Sequence, residues 1–260
     1  MIGAVETIGA TRSLGTIDLL LRDREVMLAR IRHGDDVGAL VRTMVVTIAI
    51  AMAIVGAALG SYRGGLQIGY AAIKLPLVLL GTAALSAPAL TAIGAALGRR
   101  SRLASDLALV MAALAFGALL LAACTPLILL GRALELSYHE MILATVVMFA
   151  IAGLASLRMI VHALSLEALR HGTRDGASQR TLASGTVGWR SAVAGLCVVF
   201  TLVGGQLAWA LRPYLVRPRT PEVPFVRALE GSLFDAVTGA FRSARGIYTR
   251  DEAPLPESDR

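Results

Sequence analysis

Lysine is almost missing from this chain. Lys74 is the only one among 25 basic residues, and all the others are arginine. Cysteine is scarce too, with only Cys124 and Cys197. Both fall inside apolar runs, at positions that would lie at different depths of a bilayer. A disulfide needs Cα atoms within about 7 Å, so both are expected as free, buried thiols. Aromatic residues make up 5% of the chain and do not interleave with basic ones, as they do in single-strand nucleic-acid binders. The formal net charge of +7 is therefore not read as a nucleic-acid footprint: the arginines flank apolar runs, where they would meet lipid headgroups. Also missing are a phosphate loop, a dinucleotide fingerprint and a nucleophile–base pattern. A metal needs three or four convergent ligands, and His162, Glu167 and His171 do not share a helix face. No catalytic residue, metal or cofactor is expected, and the chain is read as not an enzyme. The first forty residues lack the pattern of a cleavable signal peptide, and neither end carries a lipidation box.

What the chain has is apolar length. It is 56% hydrophobic over 260 residues, against about 45–50% in soluble domains. The expected fold is all-α: a polytopic membrane protein, with a bundle of five transmembrane helices and amphipathic helices at both ends. Crossing a bilayer takes about 20 mostly apolar residues. Runs that meet this lie at about 41–59, 68–97, 106–131, 139–163 and 189–211. Before them, residues 1–40 hold a charged, half-apolar segment (13–33) that suits either the lipid interface or a solvated helix packed on the protein itself. Gly34-Asp35-Asp36 ends it. Between the last two spans, 164–188 reads as a flexible loop. Beyond Leu211, four prolines exclude regular helix. Helical periodicity resumes at 225–248, within a C-terminal tail of 214–260.

The run at 68–97 is the unusual one. It carries Lys74 and, inside a helix, Pro76 and Pro88, each of which removes a backbone donor and predicts a bend. Thr82 and Ser86 are candidates to satisfy the carbonyls so freed. Pro126 predicts a kink near the end of the third span. An ionisable group inside a membrane helix is a functional candidate by default. Lys74 either does chemistry or snorkels to the headgroups, and Arg158, five residues before its span ends, is placed to snorkel. Gln206 is the strong polar group of the last span, beside Gly204 and Gly205, and suits a hydrogen bond to a close helix. Gly56/Gly60 and Gly94/Gly98 have the spacing that lets helices approach, within one chain or between copies. Trp189, Trp209, Arg212 and Tyr214 read as interface anchors. With an odd number of spans, the arginine-rich loops 98–105 and 164–188 share the N-terminal side. The positive-inside rule puts that side in the cytoplasm. Arg212, Arg217 and Arg219 weigh the other way.

The motifs YRGGLQ (62–67), AIKLPLVLL (72–80), APAL (87–90) and GGQLAWALRPY (204–214) resemble a group of uncharacterised bacterial multi-pass membrane proteins. More distantly, the chain resembles the Ypt-interacting-protein, or YIP-type, five-span superfamily. The resemblance covers about residues 55–230. It implies a five-span α-helical protein in the bacterial inner membrane, with a cytosolic N-terminus and no known enzyme activity. It marks Lys74, Pro76, Pro88, Gln206, Trp209, Arg212 and Pro213 as family-defining positions of unassigned role.

Two functions fit. One is a non-enzymatic scaffold or accessory subunit, in contact with membrane lipid and with other membrane subunits or further copies of itself. The other is a small transporter or channel subunit with a polar site around Lys74 and Gln206. The second requires those two residues to face a shared cavity. Inverted repeats, a common transporter signature, are not evident.

Overall fold

The computed structural model describes residues 15–34, 36–96, 103–174, 179–211, 214–216 and 224–225; the side chains at 166–174 and 179–193, with a few others in the same helices, are outside the description. The described residues are all-helical, with no strand among them. They fall in one compact unit, residues 1–227. Residues 15–22 form α1. There follow α2 (Arg24–His33), α3 (Val37–Gly60), α4 (Leu66–Ala96), α5 (Leu103–Ala123), α6 (Thr125–Ala133), α7 (Tyr138–Arg174) and α8 (Gln179–Leu211).

Four stretches are long and apolar enough to cross a membrane: Val37–Gly60, Leu66–Ala89, Leu103–Ala133 and Tyr138–Ala163. They match the first four predicted runs to within a few residues, apart from the last turns of α4. The described apolar part of α8, Cys197–Leu211, measures about 22 Å against a hydrocarbon core of about 30 Å.

The third stretch is the central one. Of its most apolar window 61% is buried, against 17% for α7, which lies at the periphery. The main pairings are α3 with α4 and α5, α4 with α8, and α5 with α7. The α3–α4 hairpin turns through Gly64 and Gly65 at φ 86° and 62°, a region that glycine enters without steric cost.

Pro76 and Pro88 both lie inside α4, which is assigned as one helix across them. A missing N–H at each proline frees the carbonyl four residues earlier, at Ala72 and Ala84. Thr82 serves neither, because its hydroxyl donates back to the Val78 carbonyl at 2.7 Å; Ser86 has no hydrogen-bond partner among the described residues. The third run is interrupted at Cys124, and Pro126 sits in the first turn of α6, where no N–H is required. The described residues of the expected loop at 164–188 are helical. Helix α7 runs on to Arg174 and α8 starts at Gln179, because Ala, Leu, Glu and Arg at 163–170 are strong helix formers with no proline among them.

The N-terminal segment docks on the bundle. Leu20, Met27, Leu28 and Ile31 are buried in the common core, and the Arg24 guanidinium lies 4.2 Å over the Phe116 ring of α5. Gly34 ends α2 at φ 82°, with its N–H on the Arg30 carbonyl. The expected C-terminal helix at 225–248 lies outside the described residues, apart from Phe225.

Candidate functional site

Helix α4 buries a polar line. Gln67, Lys74, Thr82 and Ser86 are all buried, and their spacings of seven, eight and four residues hold them to one side of a helix. Their neighbours on that side, Ala71 and Ala83, are small and buried. Apolar Ile68, Ile73, Leu77 and Leu85 are exposed instead. This arrangement inverts that of a water-soluble amphipathic helix and suits a helix whose outside is lipid.

Lys74 is the extreme case. It is 0% exposed, and its Nζ has no hydrogen-bond partner among the described residues. It therefore does not snorkel to water. An unpaired ion in a low-dielectric interior carries an effective cost of several kcal/mol. The described compensation is one aromatic face: Nζ lies 5.2 Å from the centroid of the Phe225 ring.

Phe225 reaches Lys74 from beyond the last helix. Its ring meets Tyr70 edge-on, with centroids 5.4 Å apart. Tyr70 and Lys74 are one turn apart on α4, so Phe225 covers both. The tail is also tied back at Tyr214. Its backbone carbonyl accepts from Gln67 Nε2 at 3.4 Å, its hydroxyl donates to the Ala208 carbonyl at 3.0 Å, and Val216 is buried. Burial pushes the Tyr214 phenol above the ordinary tyrosine range, so it stays a donor. Nearby, the Tyr62 hydroxyl donates to the Leu136 carbonyl at 2.9 Å. One end of the bundle is thus closed by Tyr62, Gln67, Tyr70, Tyr214 and Phe225.

Gln206 stands elsewhere. It is exposed on α8, while Gly204 of the same helix faces the Thr82 side chain and Leu207 faces Gly81. It does not join Lys74. Gly205 is half-buried between them in sequence. Arg158 is exposed on α7 and Trp209 half-buried on α8. The side chain of Trp189 and the surroundings of Gly94 are outside the description, as are Gly98, Arg212 and Pro213.

The Gly56/Gly60 spacing is used within the chain. A Cβ on Gly56 would collide with the Ala71 carbonyl, and one on Gly60 with the Gln67 carbonyl, so α3 and α4 touch backbone to backbone. The sequence reading missed the equivalent contact between α5 and α7, where Gly117 abuts the Ser156 hydroxyl. It also missed Asp106, 1% exposed, which accepts the Thr91 hydroxyl at 2.9 Å. The available signal was an acid opening an apolar run, where a helix start favours negative charge. Ser137 and Glu140 form the helix start of α7. The Ser137 N–H donates to Glu140 Oε2 at 2.7 Å and the Glu140 N–H to Ser137 Oγ at 3.4 Å. This is the reciprocal cap that the Ser-x-x-Glu spacing announces.

Comparison with known proteins finds no matching family model, no matching curated protein and no matching solved structure.

Proposed function

We propose that the chain is a five-span integral membrane protein of the bacterial inner membrane, acting as a non-enzymatic scaffold or accessory subunit of a membrane assembly. The observation that carries this reading is the exposure of Gln206 on an apolar stretch of α8. A primary amide in hydrocarbon has neither water nor backbone to bond. A neighbouring helix that receives it contributes about 1 kcal/mol and removes the cost of leaving it bare. Exposed Val198 and Leu202 on the same helix supply apolar contact for that neighbour. In this reading α8 is the fifth span, and the arginine-rich connections place the N-terminus in the cytoplasm. The bacterial multi-pass and YIP-type resemblance agrees with that topology.

The transporter reading requires Lys74 and Gln206 to line one cavity. Lys74 is buried on α4 and Gln206 is exposed on α8, which favours the scaffold. The test is a photo-crosslinking residue placed at Gln206 in native membranes, beside a control at Val147, an exposed apolar position on α7. Position 206 is expected to give a protein adduct of discrete mass, and position 147 lipid adducts only. Lipid adducts alone at 206 would overturn the proposal.

A further inference from the structure

Helix α8 has an inner and an outer side. Gly204 meets Thr82 of α4, and Leu207 meets Gly81, which fixes the side turned to the bundle. At about 100° per residue, Val198, Leu202 and Gln206 point the opposite way, and all three are exposed. With Ala194, also exposed, they recur every four residues and form one ridge. Thr201 stands beside that ridge, but its hydroxyl donates to the Cys197 carbonyl of its own helix at 2.8 Å. The polar capacity that this face offers a neighbour is therefore the Gln206 amide.

Three properties select the neighbour. Residues 194–211 carry no charge, so two such faces do not repel each other. The Gln206 amide both donates and accepts, so it is complementary to itself. Copies inserted in one membrane share an orientation, and a closed pair of them is related by a two-fold axis along the bilayer normal. Beside that axis each residue meets its own counterpart at the same depth. An unrelated helix would have to carry a matching donor and acceptor at that depth; a second copy supplies them by symmetry.

We propose that α8 is a dimerisation helix, its Val198–Leu202–Gln206 ridge packed on the same ridge of a second copy of this chain, with the two Gln206 amides bonded to each other. The inference rests on the reading of Gln206 given above and names the neighbour which that reading calls for. Ridges spaced by four residues interlock at a right-handed crossing of about 40–50°. Such a crossing confines the contact to about two turns of each helix, around Leu202 and Gln206.

The test keeps Gln206 and places cysteine at Leu202, in a full-length chain whose Cys124 and Cys197 are serine. Mild oxidation in native membranes is expected to link L202C into a species of twice the chain mass, and to leave V147C on α7 monomeric. A disulfide that forms as readily at 147 as at 202 overturns the ridge. In phosphatidylcholine vesicles that hold no other protein, copies with donor and acceptor dyes on an added C-terminal tag report association by energy transfer. Q206L is expected to need an about fivefold higher protein-to-lipid ratio for half-maximal transfer, the scale of one hydrogen bond between membrane helices. Equal transfer for wild type and Q206L overturns the amide pair. The photo-crosslinked adduct at position 206 separates this inference from the reading beneath it. An adduct of twice the chain mass supports both. Another discrete mass, with no disulfide at 202, overturns the second copy and leaves the assembly standing. Lipid adducts alone overturn both.

Discussion

Gly56 has room for no side chain at all. Its missing Cβ is what lets the Ala71 carbonyl of α4 lie against α3. Substitution Gly56→Ala forces the helices apart and is expected to cost about 1–3 kcal/mol. Gly153, on α7, has nothing within 4 Å of the same construction. Gly153→Ala is therefore expected to be neutral, or to stabilise by up to about 1 kcal/mol through helix propensity. Thermal unfolding of both variants in the same detergent checks the pair, and equal losses would contradict the packing argument. At this scale the sequence was readable where spacing carried the signal, as at Gly56 and Gly60. It was silent at Gly117, because one glycine in an alanine-rich helix carries no mark of the Ser156 that lies opposite. Lys74 was visible as an oddity. Its burial was not, because the covering ring comes from Phe225, about 150 residues away along the chain.

The elements were legible because a run of apolar residues has to be a helix in lipid, where every peptide group must be satisfied within its own segment. That reasoning located α3 through α7. It failed where two constraints act together. Composition suggested a loop at 164–188, and helix propensity carries α7 through much of it. The contact between Thr91 of α4 and Asp106 of α5 is a pairing that periodicity cannot supply, since it depends on which helix ends meet. It is testable as a unit. In a double-mutant cycle, Thr91→Val and Asp106→Ala should couple by about 0.5–1.5 kcal/mol, the net range for an intramolecular hydrogen bond. Additive losses within about 0.3 kcal/mol would mean that the two side chains act separately.

Across the whole molecule, the helices are longer than the membrane they would cross. Helix α4 measures about 46 Å along its axis, so part of the bundle must stand outside a hydrocarbon core of about 30 Å. Exposed side chains locate that core. Val46, Ile50 and Ile54 on α3, and Leu143, Val146, Val147, Ile151 and Leu154 on α7, form the exposed apolar belt. Arg42 and Arg158, both exposed, bound it on one side. Arg42 lies 18 residues from Gly60, about 27 Å, and Arg158 lies 20 residues from Tyr138, about 30 Å. The two distances agree with each other and with the thickness of a bilayer. The Tyr62 end then lies at one surface, while the last turns of α4, the first of α5 and the stretch of α7 beyond Arg158 project from the other. In the topology proposed above, that surface is the cytoplasmic one. With Cys124 and Cys197 replaced by serine, single cysteines at Ile151 and at His162, both exposed, read this placement directly. A membrane-impermeant maleimide is expected to modify H162C in inverted vesicles, to leave it intact in right-side-out vesicles, and to miss I151C in both. Modification of H162C in right-side-out vesicles only would reverse the orientation. Rapid modification of I151C would mean that the apolar belt of α7 faces water, and the bilayer would have to be placed elsewhere on the bundle.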